Sequence, residues 1–558
     1  MSKPNVLFIM VDELRFPVQY ESKKLRKWSK ENLKAMNYLR KNGQRFVNHY
    51  VGSTACAPSR ATIFTGQYPS LHGVSQTDGL AKYESDPDMY WLDPATVPTL
   101  GTYFERAGYQ TYYKGKWHIS EDSNINIPGT HDKYLSYSEE DGVPDREKTK
   151  VYLRNNRLSK YGFNDYVGPE PHGSNSRNSG SSAANGLSGR DVVYGTQVSH
   201  LIQELDKDDS EDPWFIVASF VNPHDIVLYG ELSKTFPQFN FDVDPSVPFV
   251  PPAPTANEDL STKPQAQQSY KETYQKATQL TLDTDTYRRL YYSLQLQVDK
   301  QIQKVLDSLN NSKFTENTLI VFTSDHGDLL GAHGLFQKWY NAYEESIHVD
   351  CVFAGLNITP GVQDILTSHV DLVPTILSIA GIPAKPLNGF TDSIPFVGRD
   401  LSPLILGTGT LPDEPVFFMT NDNATKGLNQ TSFAGVSYRP VVQPNSLETV
   451  IVKLSGNIYK YTRYYDNPRY AGFPRQGDVP TQEQAETALD TPSEYEAYNL
   501  TEDPYEQNNL VNTDDPILHT LRKILRSEIR LKKKTPISGA VINFSSPLLV
   551  KNRMPPAS

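Results

Sequence analysis

Short apolar runs alternating with long stretches of helical spacing constrain this chain more than any other feature. Val6 to Val11, Thr111 to Lys114, Trp214 to Val221, Thr318 to Thr323 and Cys351 to Gly355 read as buried strands. Among them, Tyr287, Leu290, Tyr291, Leu294, Val298, Ile302, Val305, Leu306 and Leu309 recur at three- and four-residue steps. That spacing makes one face of a long amphipathic helix. Strand–helix alternation of this kind predicts an α/β fold, a largely parallel sheet covered by helices on both faces. Asp371-Leu-Val-Pro-Thr-Ile-Leu reads as a helix start, with Asp371 as its cap and Pro374 in the first turn.

Length argues for two units, because 558 residues exceed what one hydrophobic core usually organises. After Gly398-Arg-Asp-Leu-Ser-Pro-Leu-Ile-Leu-Gly407 the texture changes to short strand patterns such as Pro415-Val-Phe-Phe-Met and Glu448-Thr-Val-Ile-Val-Lys. We therefore expect a catalytic domain over 1–409 and a smaller domain with a tail over 410–558. Two stretches break the pattern. Residues 168–190, rich in Gly, Ser and Asn, read as a loop, and 228–282, with its Pro-rich centre, as an irregular excursion. Ile517, Leu518, Leu521, Ile524 and Leu525 share one helical face, and the basic residues that follow sit where a packed helix favours cations.

A net charge of −11 excludes nucleic acid as the natural partner and requires a local cationic cluster for any anionic substrate. Only two cysteines, Cys56 and Cys351, occur, which fits a reducing compartment better than a disulfide framework. Val6 to Val11 is too short for a signal core or a membrane span. Cytoplasm is the expected location, and Asn-x-Thr triplets such as those at Asn357 and Asn423 then read as chance. No membrane partner is expected, and a homo-oligomer is left open.

Chemistry collects where the apolar runs stop. The first ends in Asp12-Glu13, the run from Thr318 in Ser324-Asp325-His326-Gly327, the run from Trp214 in Asn222-Pro-His224. The run near Thr111 leads into Lys114-Gly-Lys116-Trp-His118. Open α/β sheets bind ligands beyond the carboxyl ends of their strands, so these groups should meet at one edge. Asp12, Asp325 and His326 together suit a hard-to-intermediate metal ion.

Cys56-Ala-Pro-Ser-Arg60, followed by four residues and Thr65-Gly66, resembles the signature of the type I sulfatases, with Phe64 where Leu is usual. Gly108-Tyr-Gln-Thr-Tyr-Tyr-Lys-Gly-Lys-Trp-His118 resembles the second signature of that family. Phe220-Val-Asn-Pro-His224 and Gly334-Leu-Phe-Gln-Lys338 resemble its later active-site segments. Tyr498-Asn-Leu-Thr-Glu-Asp-Pro-Tyr-Glu-Gln-Asn-Asn-Leu510 resembles a structural landmark near the C-terminus, so the likeness runs nearly end to end. It implies an alkaline-phosphatase-like fold, a large mixed and mostly parallel sheet with a small C-terminal antiparallel sheet. It also implies that a formylglycine-generating or sulfatase-maturating enzyme oxidises Cys56 to formylglycine. The hydrated aldehyde, a geminal diol, then attacks the sulfur of a sulfate ester with help from one divalent metal.

By the same resemblance the metal ligands are Asp12, residue 56, Asp325 and His326, with Glu13 as a further candidate. Arg60, Lys116 and Lys338 hold the sulfate oxygens, His224 or Lys338 protonates the leaving alcohol, and His118 is the base for the second diol hydroxyl. Two pairs depart from the commonest pattern. Asp12-Glu13 stands where Asp-Asp is usual, and Asp325-His326 where Asp-Asn is common. The family's Ca²⁺ then has Mn²⁺ as a competitor, because imidazole suits transition ions. An Asp-His pair also occurs in related choline sulfatases and phosphonate monoester hydrolases. Phosphonate monoester or phosphodiester hydrolysis by the same nucleophile is therefore the alternative activity. The substrate's alcohol, whether aryl, alkyl or sugar, is not legible.

Overall fold

The computed structural model describes residues 3–537 apart from 80, 87–88, 131, 172–177, 181–188, 236–238, 240, 426–430, 433–434 and 467–491. Its main sheet holds β1 (Asn5–Asp12), β2 (Gly43–Tyr50), β3 (Gln110–Gly115), β4 (Trp214–Pro223), β5 (Thr318–Ser324), β6 (His348–Gly355) and β7 (Gly361–Ser368). They lie in the order β3-β4-β1-β5-β6-β2-β7. Neighbours pair in parallel except β6, which runs against both β5 and β2. All five apolar runs are strands of this sheet.

Side chains of β1 alternate between two cores, as the two-residue period of a strand requires. Leu7, Ile9 and Val11 pack with the helices Arg190–Lys207 and Asp285–Asn310. Val6, Phe8 and Met10 pack with the helices Cys56–Thr65, Leu100–Arg106 and Leu372–Ile379 on the other face. The Asp285–Asn310 helix is the one the periodicity predicts. Reversal of β6 matters for the site. Because that strand returns antiparallel to β5, the connection 325–347 stays at the carboxyl edge of the sheet and carries Lys338 there.

A separate antiparallel sheet, in the order β11-β10-β9-β8, consists of β8 (Val416–Thr420), β9 (Ser446–Leu454), β10 (Asn457–Tyr465) and β11 (Glu494–Asn499). The helix Ile517–Lys532 buries Leu521 and Leu525 against it. Lys532 Nζ donates to the Pro415 carbonyl (2.8 Å) and Lys533 Nζ to Glu448 Oε1 (2.6 Å), so these two cations at its C-terminal end hold the sheet. No helix among the described residues is long and apolar enough to cross a membrane.

Some expectations need correction. The stretch 228–282 contains an ordered helix, Gln265–Ala277, which buries Ala266, Tyr270, Tyr274 and Ala277 on one face. Its Gln, Lys and Thr content masks that stripe. Asp371 does not cap the following helix by a side-chain bond. Its carboxylate reaches back to the Ser368 amide (2.8 Å) and across to the Arg399 amide (2.7 Å), and Ser368 completes a capping box with it. Most of 168–190, including His172, lies outside the described residues.

Candidate active site

Strand geometry alone gathers the site. Asp12 is the last residue of β1, Lys116 follows β3, His224 follows β4, and Asp325-His326 follow β5. Adjacent parallel strands ending in register place these groups on one edge. Gly115 permits the closest approach. With φ +115°, a Cβ there would sit 1.8 Å from the Ser219 carbonyl oxygen, the group that accepts from the Lys116 amide at 3.0 Å. Cys56 is the first residue of the buried helix Cys56–Thr65 and points at the same edge, with its Sγ 3.2 Å from His326 Nε2 and 3.7 Å from Asp12 Oδ1.

Ligand atoms of Asp12, Cys56, Asp325 and His326 all lie within 4.8 Å of one another, and all four residues are buried. The chemistry of this set fits a divalent ion. Two carboxylates supply charge, and His326 Nδ1 lies 2.9 Å from the Gly327 carbonyl, an acceptor that would keep a proton on Nδ1 and let Nε2 turn its lone pair to an ion. Glu13, the further ligand candidate, falls outside this group of four. Its Oε2 accepts from Lys338 Nζ at 2.8 Å, and with Asp12 and His224 it forms a second group whose ligand atoms lie within 4.8 Å of one another.

Arg60 is fully buried and serves the carboxylates. Its Nε donates to Asp325 Oδ2 (2.8 Å), Nη2 to Asp12 Oδ2 (2.9 Å), and Nη1 to the Lys116 carbonyl (2.6 Å) and Ser219 Oγ (2.9 Å). These bonds tie it to the carboxylates of Asp12 and Asp325, whereas the resemblance implied that it holds sulfate oxygens. Lys116 Nζ donates to Asp12 Oδ2 at 2.6 Å, and Lys338 Nζ also lies 4.8 Å from the centre of a Trp339 ring.

Position 56 therefore sits in a cationic field. Burial pushes the Cys56 thiol up, but Lys116, Lys338 and His326 bring it well below its ordinary value. Burial and the Cys56 sulfur also raise Asp12, yet Lys116, His224 and Arg60 hold it below the usual carboxylate range. Burial lowers His118, but the Asp78 carboxylate, 2.5 Å from Nε2, lifts it to about 9. Burial and the neighbouring Lys116 push His224 down to about 4. At neutral pH the site thus presents a charged His118 and a neutral His224.

Sequence reading missed the groups that hold these residues. Asp78 orients the His118 ring, and Glu170 accepts the amides of Trp117 (3.1 Å) and His118 (2.9 Å). Ser59 Oγ donates to the Asp325 carbonyl at 2.5 Å. Ser59 alone carried a signal, its place inside the Cys56 motif.

A family model described as Sulfatase matches residues 4–382. The chain belongs to the sulfatase family. This sulfatase is 29% identical over 407 residues to the choline-sulfatase of Rhizobium meliloti (strain 1021), covering 71% of each chain. It is 29% identical over 403 residues to an arylsulfatase of Clostridium perfringens (strain 13 / Type A), covering 68% of this chain and 75% of that one. In fold it superposes on a phosphonate monoester hydrolase from Silicibacter pomeroyi with a TM-score of 0.57 at 19% identity, covering 95% of this chain and 96% of the other. The mixed seven-stranded sheet and the small antiparallel sheet are thus the architecture that the resemblance implied.

Proposed function

We propose that this sulfatase hydrolyses sulfate monoesters to an alcohol and inorganic sulfate, with residue 56 as nucleophile after its oxidation to formylglycine by a dedicated maturating enzyme. The observation that carries the reading is Cys56 itself. It lies in the family motif, against His326 and Asp12, and under the charge of Lys116 and Lys338. A divalent ion, Ca²⁺ with Mn²⁺ as its competitor, would be held by Asp12, Asp325, His326 and residue 56 and would supply Lewis-acid charge stabilisation.

The chain's own residues do the rest. Lys116 and Lys338 neutralise charge developing on the transferred group and the leaving oxygen. Lys338, paired with Glu13 Oε2 at 2.8 Å, keeps its proton against the cost of burial and suits protonation of the alcohol better than the neutral His224. His118, held by Asp78 with its proton in place at neutral pH, acts as a base only after losing that proton. We place the protein in the cytoplasm, a reading that its low cysteine count supports.

A panel of esters tests the activity. For one alcohol, kcat/KM for the sulfate monoester is expected to exceed that for the phosphonate ester. Lys116→Ala and Lys338→Ala should each lose about 10²–10³ in kcat, and Lys338→Ala more on poor leaving groups than on good ones. Phosphonate or phosphodiester turnover above sulfate turnover across matched alcohols would make the alternative the activity. The metal is tested separately. Asp325→Ala should lose metal and rate together in elemental analysis and kinetics, and chelation of the parent protein should lower its Tm. Normal occupancy with a normal rate would refute the ligand assignment.

A further inference from the structure

We propose that Asp422, from the loop that follows β8 in the C-terminal sheet, is a positioning residue of the active site. It acts by fixing three segments that carry reacting groups, and the proposal rests on the function proposed above. Its carboxylate is fully buried. Oδ2 accepts from the amide of Ala55 (3.1 Å), the residue before the nucleophile, and from Trp339 Nε1 (3.1 Å), the residue after Lys338. Oδ1 accepts from the amide of Thr77 (3.1 Å), the residue before the Asp78 that orients His118. Lys82 Nζ, also fully buried and 3.8 Å from Oδ1, balances the charge.

One side chain thus touches the immediate neighbours of residue 56, Lys338 and Asp78, and none of the reacting atoms. Its surroundings make the tie short. Thr420 Oγ1 donates to the Thr54 carbonyl at 2.6 Å, Gln76 Nε2 to the Asn421 carbonyl at 2.6 Å, and the Asn423 amide to Gln76 Oε1 at 3.1 Å. The end of β8 therefore braces both 54–55 and 76–77. A buried carboxylate holding several donors is costly to remove, because each donor then loses its partner away from water. Loss of Asp422 should consequently release the three segments together, and misplacement of reacting groups by about 1 Å can cost about 10²-fold in rate.

The experiment uses the mature holoenzyme, with formylglycine and metal content checked to match the parent. Asp422→Ala is expected to lose about 10²-fold in kcat with little change in KM, and to lose more on poor leaving groups than on good ones. Amide exchange should quicken together in peptides covering 50–57, 74–80 and 336–342, while the main-sheet strands stay protected. Asp422→Asn should restore part of both readouts, since its amide oxygen can accept from Ala55 and Trp339. Trp339→Phe, which keeps a ring beside Lys338 and removes one donor, should loosen 336–342 alone and slow poor leaving groups selectively. If Asp422→Ala does not fold, Trp339→Phe decides. Folded variants with parental kcat, or with no concerted change in exchange at the three segments, overturn the proposal and leave the sulfatase reading intact. Absence of sulfate-ester turnover in the parent removes that reading, and the exchange data still decide whether Asp422 fixes the three segments.

Discussion

Cys56→Ala is expected to abolish turnover while leaving the fold in place. Loss of a nucleophile that works as one unit with its neighbours costs on the order of 10⁶ in kcat. Lys116, Lys338 and the carboxylates cannot replace it, because none of them can form the covalent intermediate and then release sulfate. The structural cost is small. Residue 56 is buried, but the change deletes one sulfur atom, and a deletion of that size costs about 1 kcal/mol. Cys56→Ser should fail as well wherever no enzyme oxidises serine. Kinetics on a sulfate ester, paired with mass spectrometry of the peptide around residue 56, checks both claims. A fully active preparation carrying only unmodified cysteine would sink the assignment of the nucleophile.

Strands buried on both faces were legible because they are continuous apolar runs, and their ends gave Asp12, Lys116, His224 and Asp325 directly. β2 and β7 were not. The first interleaves Gln44, Arg45, Asn48 and His49 with its apolar residues, and the second is an edge strand whose Val362 is 66% exposed. Neither makes the run that marks a central strand. For the site, sequence supplied the groups that the fold gathers at one sheet edge and missed those that hold them. Asp78 meets His118 across 40 residues, and Asp422 meets Ala55 across 367. Contacts of that range leave no local period or motif, so a lone Asp reads as a surface residue. The partners of Arg60 escape the sequence for a related reason. Its position in the motif is local information, whereas its partners Asp12 and Asp325 come from two other strand ends.

Arg60→Met is expected to destabilise the protein by about 3–5 kcal/mol when metal is removed, the usual effect of stranding buried charges by deleting their partner. Asp12 and Asp325 have no exposed surface, and Arg60 bridges them with bonds of 2.9 and 2.8 Å. Lys116 remains on Asp12, but the Asp325 Oδ2 that accepted from Arg60 loses that cation. A divalent ion held at the same carboxylates, as proposed, would supply the missing positive charge. Saturating metal stabilises the state that binds it by RT ln(1 + [L]/Kd), about 2.7 kcal/mol at a hundredfold excess over Kd. The loss caused by Arg60→Met should therefore be larger in chelator than in saturating metal. Arg60→Lys should recover little, because one ammonium point cannot reproduce a planar fork that reaches two carboxylates, a carbonyl and a hydroxyl. Denaturant unfolding of parent and variant, each with and without metal, gives the four free energies of this cycle. Equal destabilisation in chelator and in saturating metal would mean that Arg60 and the ion do not share the charge of Asp12 and Asp325, and the ligand set would have to be redrawn.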